Sequence, residues 1–393
     1  MRLKALRLIP VLFLLSCRAV PPTLENPMPQ YTQKGDWSAW NLSVASINVW
    51  NLAVISKDND PRMTGIGERI AKLGVDLALL QEAWTPDGRQ RIQAGSKIPY
   101  MESFNRKKSI GSGLATLAHA PTLRRSFLEF ALNGEISQFW EGDPFSEKGI
   151  SLTTITWKGL PISVFNVHTI ARHGDDHLVE DEMTPHRLGQ VFEIFSMIVE
   201  QTDSDAWILA GDLNMRFFQT EYRLLNELLQ PVSNLQEDRD PQFCTSCPEN
   251  PYGGGTNNGQ LDYVFVSPRL ALTSNVRDFD SFFKASDGKS YMYSDHYGWV
   301  SSLAVRPGGG GKPQVIRQRI GAALAEIRLR LETEIQGKIL PFGVEERFQI
   351  KENMKHLANR IRLYESALSG ASTIDAEVQK IRVRLDSFIA IQI

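Results

Sequence analysis

The sequence predicts an α/β fold of two packed β-sheets flanked by helices, followed by an all-helical extension. Three observations predict it. Strand-length apolar runs recur from residue 42 to residue 305, and only a few helical periods interrupt them. Beyond the flexible stretch "PGGGGKP" (307–313) the apolar residues change to steps of three and four.

Taken in order, "LSVASINVWN" (42–51) alternates and is rich in Val and Ile, so it is a strand, ending on Asn48 and Asn51. "TGIGERIAKLG" is a helix closing at Gly74, and "VDLALLQEAW" is a buried strand with Gln81 and Glu82 at its end. "GSGLATLAH" and "EKGISLTTITW" are further strands, and "PISVFNVHT" is another that terminates at His168. A helix covers about 185–201, "AWILAGDLNM" (206–215) is a strand, and a helix follows near 219–229. "QLDYVFVS" (260–267) and "YSDHYGWVSSLAV" (293–305) close the domain. In the extension, residues 316, 320, 324, 327, 331 and 335 begin a series of amphipathic helical periods broken near Pro341–Gly343 and Gly370. No stretch there is long or apolar enough to span a bilayer.

The amino terminus reads as a leader. Arg2, Lys4 and Arg7 precede a short apolar run that ends in "LLSC" at Cys17. That ending resembles a bacterial lipoprotein box, which implies lipidation of Cys17 and anchoring to the cell envelope, at the outer membrane; Arg18 follows it. The expected organisation is a leader over 1–16, a proline-rich tether over 17–35, a catalytic domain over 36–306, a linker over 307–313 and a helical extension over 314–393. The extension is a candidate for self-association, and no obligate protein partner is evident.

Composition is that of a globular protein, 42% hydrophobic and 22% charged. Setting aside the leader and the extension leaves 27 basic against 35 acidic residues over 17–313, a net of −8. A surface of that sign matches a polyanion poorly, because nucleic-acid affinity rests on Lys and Arg neutralising phosphates. Cys244 and Cys247 form a lone "CTSC", without the second pair that a zinc site requires; a local disulfide is the expectation.

Six strands begin or end on polar residues: Asn48, Glu82, His168, Asp212 with Asn214, Asp262, and Asp295 with His296. Any one is explained by a turn. Asp212 and Asn214 stand two apart, so they share a face while Leu213 points into the protein. Together the residues suit a hard divalent ion such as Mg2+, with Mn2+ or Co2+ as substitutes. A metal, two imidazoles and orienting carboxylates suggest in-line attack of water on a phosphoester.

The segments "INVWNL", "LALLQEAW", "FNVHT", "LAGDLNM", "LDYVFV" and "YSDHYGW" resemble the ordered motifs of the endonuclease/exonuclease/phosphatase superfamily over roughly residues 40–306. Within it, "IGSGLATLAHAP", "SEKGISL" and "HRLGQVFEIF" are most similar to magnesium-dependent neutral sphingomyelinases. The resemblance implies a four-layer α/β sandwich and a metal-dependent phosphoric diester hydrolase. It makes Glu82 the principal Mg2+ ligand with Asn48 beside it at the metal or the phosphate, and His296 the general base oriented by Asp262. It places His168 on the phosphoryl oxygens, Asp212 and Asn214 on the water and phosphate, and Asp295 near the metal. Lys148 is either an added positive charge at the phosphate or a surface lysine. His173 and His177 are read as exposed loop residues and His186 as a helix start.

The segment "DFDSFFKASDGKSYMYSDH" (278–296) resembles one in secreted bacterial sphingomyelinases that carries an aromatic-tipped hairpin. The resemblance puts Phe282 and Phe283 at a membrane-contacting tip with Asp287-Gly288 among the candidate turn residues; the alternative is that Phe279, Phe282 and Phe283 pack inside. Three functional classes follow. The first is a phosphodiesterase acting on a sphingolipid or other phospholipid at a membrane surface. The second is a secreted nuclease, which the charge disfavours. The third is an inert binding module, which the eight polar strand-end residues disfavour.

Overall fold

In a computed structural model of the chain, the described residues are 37–306 apart from 53–54, 105–110, 131–146, 172–183, 202–203, 230–242 and 254–258. The leader, Cys17, the tether, the linker and the extension lie outside them, as do His173, His177 and the side chain of His186.

Two sheets form the centre. Strand β1 (Asn41–Asn48) lies between β2 (Leu77–Gln81), which is parallel to it, and β13 (Gly298–Val305), which is antiparallel. With β3 (Tyr100–Ser103), β4 (Ala115–Ala118) and β10 (Leu270–Asp278) they make a six-stranded sheet in the order β10-β13-β1-β2-β4-β3. The second sheet runs through β5 (Thr122–Glu129), β6 (Gly149–Trp157), β7 (Leu160–His168), β8 (Trp207–Asp212) and β9 (Asp262–Val266). Only its β7–β8 pair is parallel.

Strand alternation builds four layers. Leu42, Val44, Leu77 and Leu79 meet Ile162, Val164, Ile208 and Val264 between the sheets. Their neighbours Ala45, Ile47, Ala78 and Leu80 point the other way, onto Met63, Ile66 and Ile70 of α1 (Asn59–Leu73) and Ile92 of α2 (Pro86–Ser96). Across the second sheet Phe165, Val167, Leu209 and Phe265 pack on Val191 and Ile194 of α3 (Thr184–Gln201) and Leu225 of α4 (Thr220–Leu229). Each such fully buried aliphatic or aromatic side chain contributes about 1.5–3 kcal/mol of transfer free energy. The four-layer α/β sandwich is therefore the fold, and no helix among the described residues is long and apolar enough to cross a membrane.

Several elements depart from the sequence expectation. Helix α2 has one large buried aliphatic residue, Ile92, and a polar remainder, but Thr85 caps it by accepting from the Gly88 amide at 3.1 Å. Strands β5 and β10 are sheet edges; their arginines and polar residues hide the apolar alternation that marks central strands.

The aromatic hairpin needs correction. Strands β11 (Phe283–Lys284) and β12 (Ser290–Tyr291) pair, and their turn is closed by Gly288 N–H donating to Ala285 O at 3.0 Å. The two phenylalanines stand at the base of this hairpin, not at its tip. Consecutive residues of an extended chain face opposite ways. Phe283 accordingly stacks on Tyr293 at 4.6 Å and lies over Gly65, whereas Phe282 is 62% exposed. Phe279 is buried edge-on against Tyr293.

Candidate active site

The face that carries the inter-sheet core also carries the polar strand ends. Counting by twos from Val44 reaches Asn48, from Val164 reaches Asn166 and His168, from Ile208 reaches Asp212, and from Val264 back reaches Asp262. Register then gathers them, since His168 is paired with Asp212 and Asp212 with Asp262.

Asn48 Nδ2 donates to both Glu82 Oε1 and Asp212 Oδ2, each at 3.0 Å. Its Oδ1 accepts from the Trp50 amide at 3.0 Å, so Asn48 offers the carboxylates a donor and orients Glu82. Glu82 follows the last residue of β2 with φ 54, a left-handed conformation that turns its carboxylate out of strand alternation and toward Asn48 and His168. His168 Nε2 lies 3.8 Å from Glu82 Oε1 and 3.6 Å from Asp212 Oδ2.

On the other flank His296 Nδ1 is 2.9 Å from Asp262 Oδ2 and 3.9 Å from Asp212 Oδ2. A carboxylate on Nδ1 fixes the imidazole and leaves Nε2 for a reacting group. Asn214 also has positive φ; its amide N–H donates to Asp212 Oδ1 at 2.9 Å and its Nδ2 to Thr169 O at 3.1 Å. The strand ends this sharply because Gly211, at φ 146, allows the close passage; a Cβ there would sit 2.0 Å from Val167 O.

Electrostatics reflect the crowding of carboxylates. Burial pushes Asp212 up to about 7, Asp262 adds repulsion, and His296, the Asn48 hydrogen bond and Lys148 oppose the rise. Burial likewise lifts Asp295 to about 6; His296 opposes that, and Glu82 reinforces it. For His296 burial works downward, but Asp262, Asp212 and Asp295 outweigh it and hold the imidazole well above its ordinary value.

Every polar residue expected at the site is thus near it, with differences of role. Asp295 accepts from its neighbour Ser294 Oγ at 3.1 Å. Lys148 is buried beside the β6–β7 strand ends and its charge bears on Asp212, which excludes the surface-lysine reading. Sequence reasoning missed Arg62. It is fully buried, donates to the carbonyls of Val49, Trp50 and Tyr293, and lies 5.0 Å over the Trp50 ring. A single arginine on an amphipathic helix gives no such signal. The Gln81–Asn166 bond between the sheets, at 2.7 Å, was also missed, although "FNVH" puts Asn166 on the face of His168.

The donor atoms fit a divalent cation. Glu82, His168 and Asp212 each offer an atom within 4.8 Å of the others, and the burial that lifts Asp212, together with repulsion from Asp262, is the condition a cation relieves. The set is rich in carboxylate oxygen and free of thiolate, as a hard ion such as Mg2+ requires. Cys244 and Cys247 offer no thiolate, because they form a disulfide with Cα atoms 5.3 Å apart.

Residues 45–296 match the model of the Endonuclease/Exonuclease/phosphatase family. Two curated relatives are similar to the chain. A "Putative neutral sphingomyelinase" of Drosophila melanogaster is 25% identical over 273 residues, which cover 67% of this chain and 60% of the relative. An "Inositol phosphosphingolipids phospholipase C" of Schizosaccharomyces pombe is 27% identical over 297 residues, covering 67% and 69%. The chain thus spans 60% of the length of the first of these relatives and 69% of the second. The crystal structure of SmcL superposes with a TM-score of 0.52 at 23% identity, over 67% of this chain and 99% of that one. A beta toxin from Staphylococcus aureus with bound magnesium ions superposes at 0.51 and 17%, over 68% and 100%. At these identities the two structures establish the fold.

Proposed function

The chain belongs to the endonuclease/exonuclease/phosphatase family, and from that premise we propose that it is a Mg2+-dependent phosphodiesterase that releases a phosphorylated headgroup from a sphingolipid. The observation that carries the reading is the convergence of Glu82 and His168 with the His296–Asp262 pair around Asp212.

The residues divide the work by position. Asp262 holds His296 Nδ1, so Nε2 is the atom that takes a proton from water as it attacks phosphorus. His168, Asn214 and Lys148 supply donors or positive charge to the phosphoryl oxygens, whose charge grows in the transition state. Glu82, oriented by Asn48, is the ligand for the divalent ion, and Asp212 and Asp295 add negative charge on its flanks. The bound ion supplies Lewis-acid neutralisation of the phosphoryl charge.

A lipid substrate is supported by the names of both relatives, a "Putative neutral sphingomyelinase" and an "Inositol phosphosphingolipids phospholipase C", and by the net −8 of residues 17–313, which disfavours a polyanion. A nuclease on the same fold is the second reading. Hydrolysis of sphingomyelin, an inositol phosphosphingolipid, phosphatidylcholine and plasmid DNA with and without Mg2+ separates them. Cleavage of DNA alone overturns the lipid reading. Export with lipidation at Cys17 belongs to the same proposal. It is supported by the basic and apolar leader ending in "LLSC", and a Cys17→Ser protein that still partitions with envelope membranes counts against it.

A further inference from the structure

We propose that Thr245, fixed between the two half-cystines of "CTSC", is a positioning residue for the His296–Asp262 pair. The inference rests on the hydrolytic role given to that pair above.

The backbone of Asp262 and the backbone next to His296 are both bonded to this one buried residue. The Thr245 hydroxyl oxygen accepts from the amide of Leu261 at 2.9 Å and from that of Asp262 at 3.2 Å. The Thr245 carbonyl accepts from the amide of Tyr297, the residue after His296, at 2.7 Å. Asp262 opens β9 and His296 precedes β13, strands of different sheets, so nothing in the sheet ladders sets the distance between their side chains. Thr245 bridges that gap with a hydroxyl on one side and a carbonyl on the other.

The surroundings hold Thr245 still. The disulfide closes a tight ring around residues 244–247, and the amide of Thr245 donates to Gly259 O at 3.0 Å. Arg277 lies 4.9 Å over the Tyr297 ring and 5.4 Å over Phe243, and its Nη1 donates to Cys244 O at 3.1 Å. From the same loop Asn250 Nδ2 donates to Ser294 O at 2.9 Å, beside Asp295. The carbonyl of Asp262 is held from the other direction by Trp299 Nε1 at 2.8 Å. A short disulfide loop therefore grips the backbone on both sides of a contact between catalytic side chains. Displacement of about 1 Å in such a contact is enough to cost roughly 10²-fold in rate.

The test compares Thr245→Val, which removes the hydroxyl at nearly constant shape, with Thr245→Ser, which keeps it. With a soluble chromogenic phosphodiester and saturating Mg2+, Thr245→Val is expected to lower kcat about 10–100-fold with KM within twofold. The ascending limb of its pH–rate profile should also move, while Thr245→Ser restores both. The Cys244→Ser/Cys247→Ser double variant should show the same signature in weaker form. A Thr245→Val protein that melts lower but keeps the wild-type kcat and pH limb in its folded fraction overturns the proposal. The imidazole proton resonances of His296, assigned by their loss in His296→Ala, give a readout independent of turnover. If wild-type protein hydrolyses no phosphodiester, the functional reading fails by itself. Titration of His296 in Thr245→Val unchanged from wild type then overturns the positioning role separately.

Discussion

Glu82 and Asp212 share one amide: Asn48 Nδ2 lies 3.0 Å from a carboxylate oxygen of each. Burial, reinforced by repulsion from Asp262, leaves Asp212 at about 7 when only protein surrounds it, and the hydrogen bond from Asn48 opposes that rise only in part.

A dependence of stability on pH follows. The folded metal-free protein keeps a proton on Asp212 up to about pH 7, while the unfolded chain releases it near 3.8. Between those values the folded state binds more protons, so this contribution to stability is present below the lower value and is lost as pH rises through the upper one. Asp295, lifted to about 6, acts with the same sign. A cation competes with those protons. The Mg2+-induced rise in Tm should therefore be larger at pH 8 than at pH 5. Equal shifts at the two pH values would contradict a cation site among these carboxylates.

Substitution separates the metal from the base. Glu82→Gln should abolish the Mg2+ shift in Tm and lower kcat/KM by roughly 10³-fold, since Lewis-acid stabilisation is worth several kcal/mol. His296→Ala should keep the Mg2+ shift and lose about 10²–10⁴ in rate, the usual worth of a general base. Wild-type turnover in His296→Ala would remove the mechanism proposed here.

Asp262 raises the pKa of His296, both through its charge and through the 2.9 Å hydrogen bond, against a burial effect of opposite sign. A base must be deprotonated to act, so activity should rise with pH through the His296 value. Asp262→Asn removes the charge and lowers that value. The ascending limb of kcat/KM should then move to lower pH while the plateau falls, because the ring is no longer held by a carboxylate. A limb that stays in place would assign it to another group.

The sandwich and the site were legible for one reason. Asn48, His168, Asp212 and Asp262 each end or begin a buried apolar run, where a polar side chain conflicts with its context and so stands out. Arg62 and Thr245 stand in stretches that are already polar, and there nothing distinguishes a fully buried arginine or threonine from a surface one. Their importance comes from partners far along the chain: Arg62 reaches Tyr293 and Thr245 reaches Tyr297. Strands β5 and β10 escaped notice because edge strands need not alternate as central ones do.

The hairpin yields the last prediction. The resemblance implied a lipid-facing tip for Phe282 and Phe283, with packing inside as the alternative, and the two side chains have parted between these readings. Phe283 is stacked on Tyr293 and pressed against Gly65, and Phe282 is the most exposed large hydrophobic residue among those described. Phe283→Ala should cost about 1–3 kcal/mol of stability, less than a full core deletion because the ring is half-buried. Phe282→Ala should leave Tm unchanged. An exposed phenylalanine that enters a membrane interface gains on the order of 1.5–3 kcal/mol at full burial. Binding of Phe282→Ala to sphingomyelin-containing vesicles should therefore weaken about 10-fold or more, with hydrolysis of a soluble phosphodiester unaffected. Unchanged vesicle affinity would show that Phe282 is exposed for another reason.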